Sequence, residues 1–355
     1  MAPMKTNISK RGTAAAITAV LMPAGLTACS TSESSASAGS GSSSAASSVT
    51  PSATSSATPS DSSTSSSSTA SSTSPSLETL VAEVTDKFEQ ETYSDSETGG
   101  SLPYNIFLPD DYDSSKTYPV VLYIADSSLV GQDVTAPLSQ YGALIWASDE
   151  QQAVQESIVV VPEYPEVILD DHGSYTTTDS VEMTARLLAS IEDEYSVDTD
   201  RVYGTGQSMG AMTVMYLAAE HPDLFAAEMI VSGQWDPSTL DGLADENFVY
   251  FAAGGDENAS GGQTDVQAIL KDADVGYGTA SVDATWSSEE IESTVSDLLA
   301  SGDSANFATF TTGSVLEVSG ASSSSSMGGS SEHMASFQPA YQIAAARDWL
   351  LTQTA

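Results

Sequence analysis

The sequence predicts an α/β domain with a mostly parallel central sheet covered by helices on both faces. Three observations predict it. The stretches 120–124 and 157–161 are apolar runs of strand length, as expected of strands buried on both faces, and Ala227–Val231 and Phe248–Ala253 read as further strands. Segments with apolar residues at helical spacing separate them, so strands alternate with helices. Residues 201–219 read as strand, tight turn and helix in direct succession, centred on Gly206-Gln207-Ser208-Met209-Gly210.

Taken in order, residues 1–28 read as a secretory signal. Lys5, Lys10 and Arg11 make a positive start, and 13–26 is apolar but too short and too rich in Ala and Gly for a good membrane span. The segment ends in Leu26-Thr27-Ala28-Cys29, which resembles a bacterial lipobox. That resemblance implies cleavage before Cys29, lipid on its sulfur and anchorage to the outer face of the cell membrane; the other reading is an ordinary cleavable signal ending at Ala28. Cys29 is the only cysteine, so the chain cannot form an internal disulfide. Residues 29–76 are dominated by Ser, Thr, Ala, Gly and Pro, and are expected to be a disordered tether that cannot bury enough surface to offset its ordering. Residues 77–355 suit one large domain.

Within it, 80–93 and 102–108 are expected to open as antiparallel strands about a polar turn. Strands at 120–124 and 157–161 follow, the second closed by Pro162. Val181, Leu187, Leu188 and Ile191 recur at helical spacing over 179–195. Beyond the central turn the pattern gives strands Ala227–Val231 and Phe248–Ala253, a helix near 264–272, a strand at 280–286, a helix at 289–300 and a last strand at 307–310. A Ser/Gly-rich loop at 311–332 and a closing helix at 339–352 complete the chain. The formal net charge is −40, from 9 Lys and Arg against 49 Asp and Glu. That balance excludes nucleic acid as a natural partner, disfavours polyanionic substrates and suits a well-solvated surface.

The central turn has the pattern G-x-S-x-G. Ser208 on a sharp turn would stand above the sheet, with Gly206 and Gly210 sparing side chains where strand and helix approach. The backbone N–H of Met209, at the helix start, would face a developing oxyanion, and Gln207 lies on the other side of the nucleophile. A serine hydroxyl needs a base, nearly always His, and the chain has three. His221 ends the helix that starts at Ser208, more than three turns away, where a helix-terminal role fits better. His172 precedes the helix at 179–195 and reads as surface or pocket rim. His333 follows the last strand in a flexible loop, and alone satisfies the chain order Ser, acid, His of nucleophile-elbow enzymes. The acid is expected at Asp256, where Gly254 and Gly255 turn the chain sharply after a strand; Asp236 and Glu257 are its rivals, and an Asp at such a place also serves as a helix cap or turn residue. The loop after 120–124 should supply the second oxyanion donor, a backbone N–H near Asp126 or Ser127. Gln234 and Trp235 are candidates to line the pocket, Trp235 equally a core residue.

With these residues in place the chain resembles α/β-hydrolases of the prolyl-oligopeptidase-like and esterase type, secreted polyester and feruloyl esterases among them. The pieces that carry the resemblance are Leu102-Pro103-Tyr104-Asn105-Ile106-Phe107-Leu108-Pro109, Tyr118-Pro119-Val120-Val121-Leu122-Tyr123, Asp198-Thr199-Asp200-Arg201-Val202-Tyr203 with the elbow, Pro222-Asp223-Leu224-Phe225-Ala226-Ala227, Gly254-Gly255-Asp256, and His333 ahead of Arg347-Asp348-Trp349-Leu350. The resemblance implies a nucleophile, acid and base at Ser208, Asp256 and His333, with no metal or organic cofactor. One departure stands out. Such relatives carry His-Gly where this chain has Ala125-Asp126, and a carboxylate beside an oxyanion repels it unless it points away. Asp126 either holds a cationic group of the substrate or is structural. The function expected is a cell-surface serine hydrolase of carboxylic esters. The alternatives are a serine peptidase acting on short peptides, with Asp126 holding the free amino group, and a non-catalytic binding lipoprotein on the same fold.

Overall fold

The computed structural model describes residues 74–319 and 328–355. The signal-like segment, Cys29, the tether up to residue 73 and the 320–327 part of the expected loop lie outside the described residues.

The domain opens with helix α1 (Leu77–Val84) and a 3-10 turn, Thr85–Lys87, so most of the expected first strand is helical. The Ser76 hydroxyl caps α1 by accepting from the Thr79 N–H, and Leu80 and Val84, one turn apart, are buried together. Strands β1 (Glu89–Ser94) and β2 (Ser101–Phe107) then pair antiparallel. There follow β3 (Tyr118–Ile124), α2 (Tyr141–Leu144), α3 (Asp149–Val154) and β4 (Ile158–Pro162). A small hairpin, β5 (Leu169–Asp170) and β6 (Thr176–Thr177), precedes α4 (Asp179–Glu194), β7 (Val197–Gln207) and α5 (Met209–Glu220). The rest runs β8 (Ala227–Val231), β9 (Phe248–Ala253), α6 (Glu257–Asp272), β10 (Tyr277–Val282), α7 (Ser288–Leu299), β11 (Ala305–Phe310), α8 (Ser314–Ser319), α9 (Gly328–Ala335), α10 (Phe337–Gln342) and α11 (Ala344–Thr352).

Nine strands form one sheet in the order β1-β2-β4-β3-β7-β8-β9-β11-β10, antiparallel at the β1 and β2 end and parallel from β4 to β10. The predicted fold class is the observed one. Side chains alternate across the sheet: Val120, Leu122 and Ile124 of β3 enter a core with α4, α5 and α6, whereas Val121 and Tyr123 enter a second core with α1, α2, α7 and α11. Two cores explain why β3 and β4 read as unbroken apolar runs.

Several boundaries differ from expectation, each for a local reason. Pro162 belongs to β4, opposite Tyr104, because pairing with β3 has already ended at Val160. Helix α6 starts at Glu257 rather than near 264. Its Gly261-Gly262 pair reads as a breaker, yet a Cβ at Gly262 would lie 2.7 Å from the Tyr250 hydroxyl, so the position needs glycine for packing. The strand expected at 280–286 is β10, displaced toward the N-terminus, and the closing helix is two, α10 and α11, divided at Ile343. The expected loop at 311–332 contains α8 and most of α9.

Two buried carboxyl groups carry a pH-dependent cost. Glu228 on β8 is fully buried, and neither of its oxygens has a partner among the described residues. Burial, then the nearby Glu246, push its pKa well above the ordinary range. Glu246 is pushed up to about 8, by burial first and then by Asp245 and Asp223. Between the unfolded value of 4.5 and about 8, the unfolded chain sheds the Glu246 proton while the folded chain keeps it, so stability falls as pH rises through this window. Glu246→Gln removes that loss. Its Tm relative to the parent should rise steadily from pH 4.5 to pH 8.5 in thermal melts, and a difference that does not vary with pH would refute the assignment.

Candidate active site

The site begins with a steric demand. Strand β7 ends at Gln207 and α5 begins at Met209, leaving one residue, Ser208, to reverse the chain. Its φ of 53° and ψ of −118° are strained for a residue with a side chain. The turn is packed under the end of β3: a Cβ at Gly210 would lie 2.0 Å from the Ile124 carbonyl oxygen, and one at Gly206 would lie 2.5 Å from the Gly210 carbonyl carbon. The two glycines of the motif therefore serve close backbone approach.

The half-exposed Ser208 Oγ lies 2.8 Å from His333 Nε2, and His333 Nδ1 lies 2.6 Å from Asp256 Oδ2. An ionised carboxylate can only accept, so Nδ1 carries the proton toward Asp256 and Nε2 is left to accept from the serine hydroxyl. Asp256 is buried, and its other oxygen accepts from the Ala259 N–H at 3.3 Å as the N-cap of α6. The geometry leaves room for both readings of Asp256: one oxygen faces His333 and the other caps α6. His333 stands on α9, not in a loop as the composition of the stretch implied. Its ring packs edge-on against Phe337, with centroids 5.0 Å apart, and its carbonyl accepts from the Ser336 hydroxyl at 2.7 Å.

The rivals are placed elsewhere. Asp236 caps a 3-10 turn through the Ser238 N–H, and Glu257 is exposed at the first turn of α6. His221 ends α5, and its Nε2 meets Glu182 of α4 at 3.0 Å. The exposed His172 lines the mouth of the cleft, its Nδ1 3.1 Å from oxygens of both Asp170 and Asp171. These three residues hold their ligand atoms within 4.8 Å of one another, and form the group of potential metal ligands found among the described residues.

Ser208, His333, Ser127, Met209, Met212 and Gln234 line a cleft of about 900 Å³. Ser127 and Met209 each begin a helical turn, where a backbone N–H has no partner inside its own helix. Asp126 and Gln207 are absent from the cleft lining because they are bonded to each other behind it. Both are buried; Asp126 Oδ2 accepts from Gln207 Nε2 at 2.8 Å and from Gln140 Nε2, and Oδ1 accepts from the Ser128 N–H at 2.8 Å. Tyr123 in turn donates to Gln140 Oε1 at 2.7 Å. The carboxylate thus points away from the oxyanion position and ties the loop of Ser127 to the residue before the nucleophile. Of the roles open to the Asp126 side chain, its contacts fit the structural one, and the Gln207 amide is engaged with it inside the wall rather than in the cleft lining. Trp235 is likewise a core residue, 3% exposed and edge-on to Tyr175 and Tyr216. Gln140, Ser336 and Glu332 escaped the sequence reading. Only Glu332, next to His333, lay where a signal could have been sought.

A mostly parallel sheet with a serine elbow at the end of a central strand, and a histidine and carboxylate gathered at the same edge, defines an α/β-hydrolase. The chain belongs to the Esterase family, whose model matches residues 96–308. A crystal structure of a thermostable esterase aligns with a TM-score of 0.60 at 23% identity, over 77% of this chain and 64% of that one, a likeness of fold. Dipeptidyl-peptidase 5 of Porphyromonas gingivalis is 30% identical over 145 residues, 38% of this chain and 20% of that protein. The chain therefore spans about a fifth of that curated relative's length. The feruloyl esterase module from Clostridium thermocellum aligns at 14% identity and a TM-score of 0.45, over 73% of this chain and 88% of that one.

Proposed function

We propose that the protein is an exported serine esterase that cleaves carboxylic esters through an acyl-enzyme and is held at the outer face of the cell membrane by lipid on Cys29. The observation that carries the enzymatic part is His333 bridging Ser208 and Asp256 through its two ring nitrogens, at 2.8 and 2.6 Å. Ser208 Oγ attacks the ester carbonyl carbon as His333 Nε2 takes its proton, and Asp256 keeps the ring oriented and stabilises the imidazolium. The carbonyl oxygen becomes an oxyanion facing the N–H groups of Met209 and Ser127. His333 returns the proton to the departing alkoxide, leaving Ser208 acylated. Water, deprotonated by the same nitrogen, then releases the acid. The acyl-enzyme is tested by treating the protein with a fluorophosphonate and locating the adduct by peptide mass spectrometry. It should fall on Ser208, and labelling of another residue, or none, overturns the assignment.

The likeness to a dipeptidyl-peptidase raises the alternative of peptide substrates. That alternative assigned a free amino group to Asp126, whose carboxylate is taken up by Gln207, Gln140 and Ser128. Ester hydrolysis is the reading favoured here, and parallel ester and aminoacyl chromogenic panels decide between them.

Anchorage rests on Leu26-Thr27-Ala28-Cys29 following a short apolar stretch. Cys29→Ala should move the protein from the membrane fraction into the medium, read by immunoblot of the two fractions. An unlipidated N-terminus on the parent protein, found by intact mass, refutes the anchor and leaves the chemistry of the cleft untouched.

A further inference from the structure

The residue before the histidine makes a contact that the mechanism above does not use. Glu332 is 6% exposed. Its Oε2 accepts from the Gly255 N–H and its Oε1 from the Gly313 N–H, both at 3.1 Å. Gly255 immediately precedes Asp256 on the turn that leaves β9. Gly313 lies on the turn that leaves β11, the neighbour of β9 in the sheet. One carboxylate thus spans the ends of two adjacent strands, while its own backbone leads directly into His333. The carboxylate sits close over the first turn, and the second turn has a left-handed backbone. A Cβ on Gly255 would lie 2.1 Å from Glu332 Oε1, and Gly313 has a φ of +84°.

We propose that Glu332 is a positioning residue for the hydrolysis described above: it locks the turn carrying Asp256 to the helix carrying His333, and so sets the distance between acid and base. The inference rests on the Ser208, His333 and Asp256 reading. Helix α9 has only eight residues, and the turn of Gly254 and Gly255 carries little side chain to pack. Asp256 is otherwise held by its cap on α6, and His333 by Phe337 and Ser336; among these contacts Glu332 is the one that ties the acid's turn directly to the base's helix. Two N–H groups converge on one buried carboxylate, each at 3.1 Å, in a water-poor place where bonds to a charged acceptor count for most. Loss of a supporting contact of this kind commonly costs 10- to 100-fold in activity by analogy with metal-site supports, because reacting groups must be held to within a fraction of an ångström.

The test is Glu332→Gln, which preserves shape but turns an amide NH₂ against one of the two N–H groups. Its kcat on a chromogenic ester should fall about 10- to 100-fold with KM within about twofold. Fluorophosphonate labelling of Ser208 should slow in parallel, and the downfield proton NMR signal of the His333–Asp256 hydrogen bond should shift or vanish. Glu332→Asp, one methylene shorter and unable to reach both turns, should behave likewise and decides the matter if the Gln variant does not fold. Parent kcat with an unchanged downfield signal overturns the proposal. A lowered Tm with parent kcat and signal also overturns it, since that is a purely structural brace. Failure of the underlying reading looks different: the parent itself would escape labelling, and Ser208→Ala would hydrolyse the ester as the parent does.

Discussion

His333→Ala should lower kcat for ester hydrolysis by about four orders of magnitude or more, with Tm and far-UV circular dichroism close to the parent. The magnitude follows from what is removed: without the imidazole the Ser208 hydroxyl has no acceptor for its proton, and the leaving alkoxide has no donor. The fold should survive because the ring stands at the cleft wall with a side chain 20% exposed and packs mainly on Phe337. His221→Ala and His172→Ala make the controls. The first should lose only the contact to Glu182 that joins α5 to α4, and the second lies exposed at the cleft mouth. Both should keep kcat within a few-fold. A folded His333→Ala protein turning over at near-parent rate would show that the base is another group, with His172 next in line.

Gly210→Ala should cost more than about 3 kcal/mol, read as a collapse of the urea midpoint, and is expected to leave little folded protein at 37 °C. The added methyl would sit 2.0 Å from the Ile124 carbonyl oxygen and 2.5 Å from its carbon, atoms of a central strand that cannot swing aside as a side chain would. Gly261→Ala makes the contrast: nothing lies within 4 Å of that Cβ, and it should be neutral or slightly stabilising through helix propensity. If Gly210→Ala melts like the parent, the close approach of β3 and α5 is not as described.

Much of this was legible because the chemistry left steric marks in the sequence. Gly206 and Gly210 flank Ser208 because backbone crowds them, and Gly254-Gly255 announced the turn before Asp256. Strand β9 was readable to the residue, since its apolar run ends at Gly254-Gly255, and β8 was readable despite Glu228 within it. The Ser76 cap of α1 was passed over because β-prone residues around 80–93 favoured a strand, and packing of Leu80 and Val84 decided otherwise. The Ser/Gly composition of the α9 segment has weak helix propensity and reads as loop; its partners Asp256 and Gly255 lie 77 residues away in sequence. The role of Asp126 was open for the same reason. A carboxylate's direction depends on Gln140 and Gln207, and no local pattern reports a bond across 81 residues.

Asp256 has a consequence for how this protein can change. One oxygen starts helix α6 and the other steadies His333, so the same side chain answers to two selections. Glutamate there would push the carboxylate outward by a methylene and surrender the cap, worth about 1 kcal/mol, even if it still reached the ring. Asparagine would keep the cap and offer the ring an amide in place of a charge. A search for stabilising substitutions at the start of α6 will therefore meet activity as its limit, and a search for a new acid will meet stability. The position is pinned from both sides, and variation should accumulate around it, at the exposed Glu257 and Asn258, before it is found at Asp256 itself.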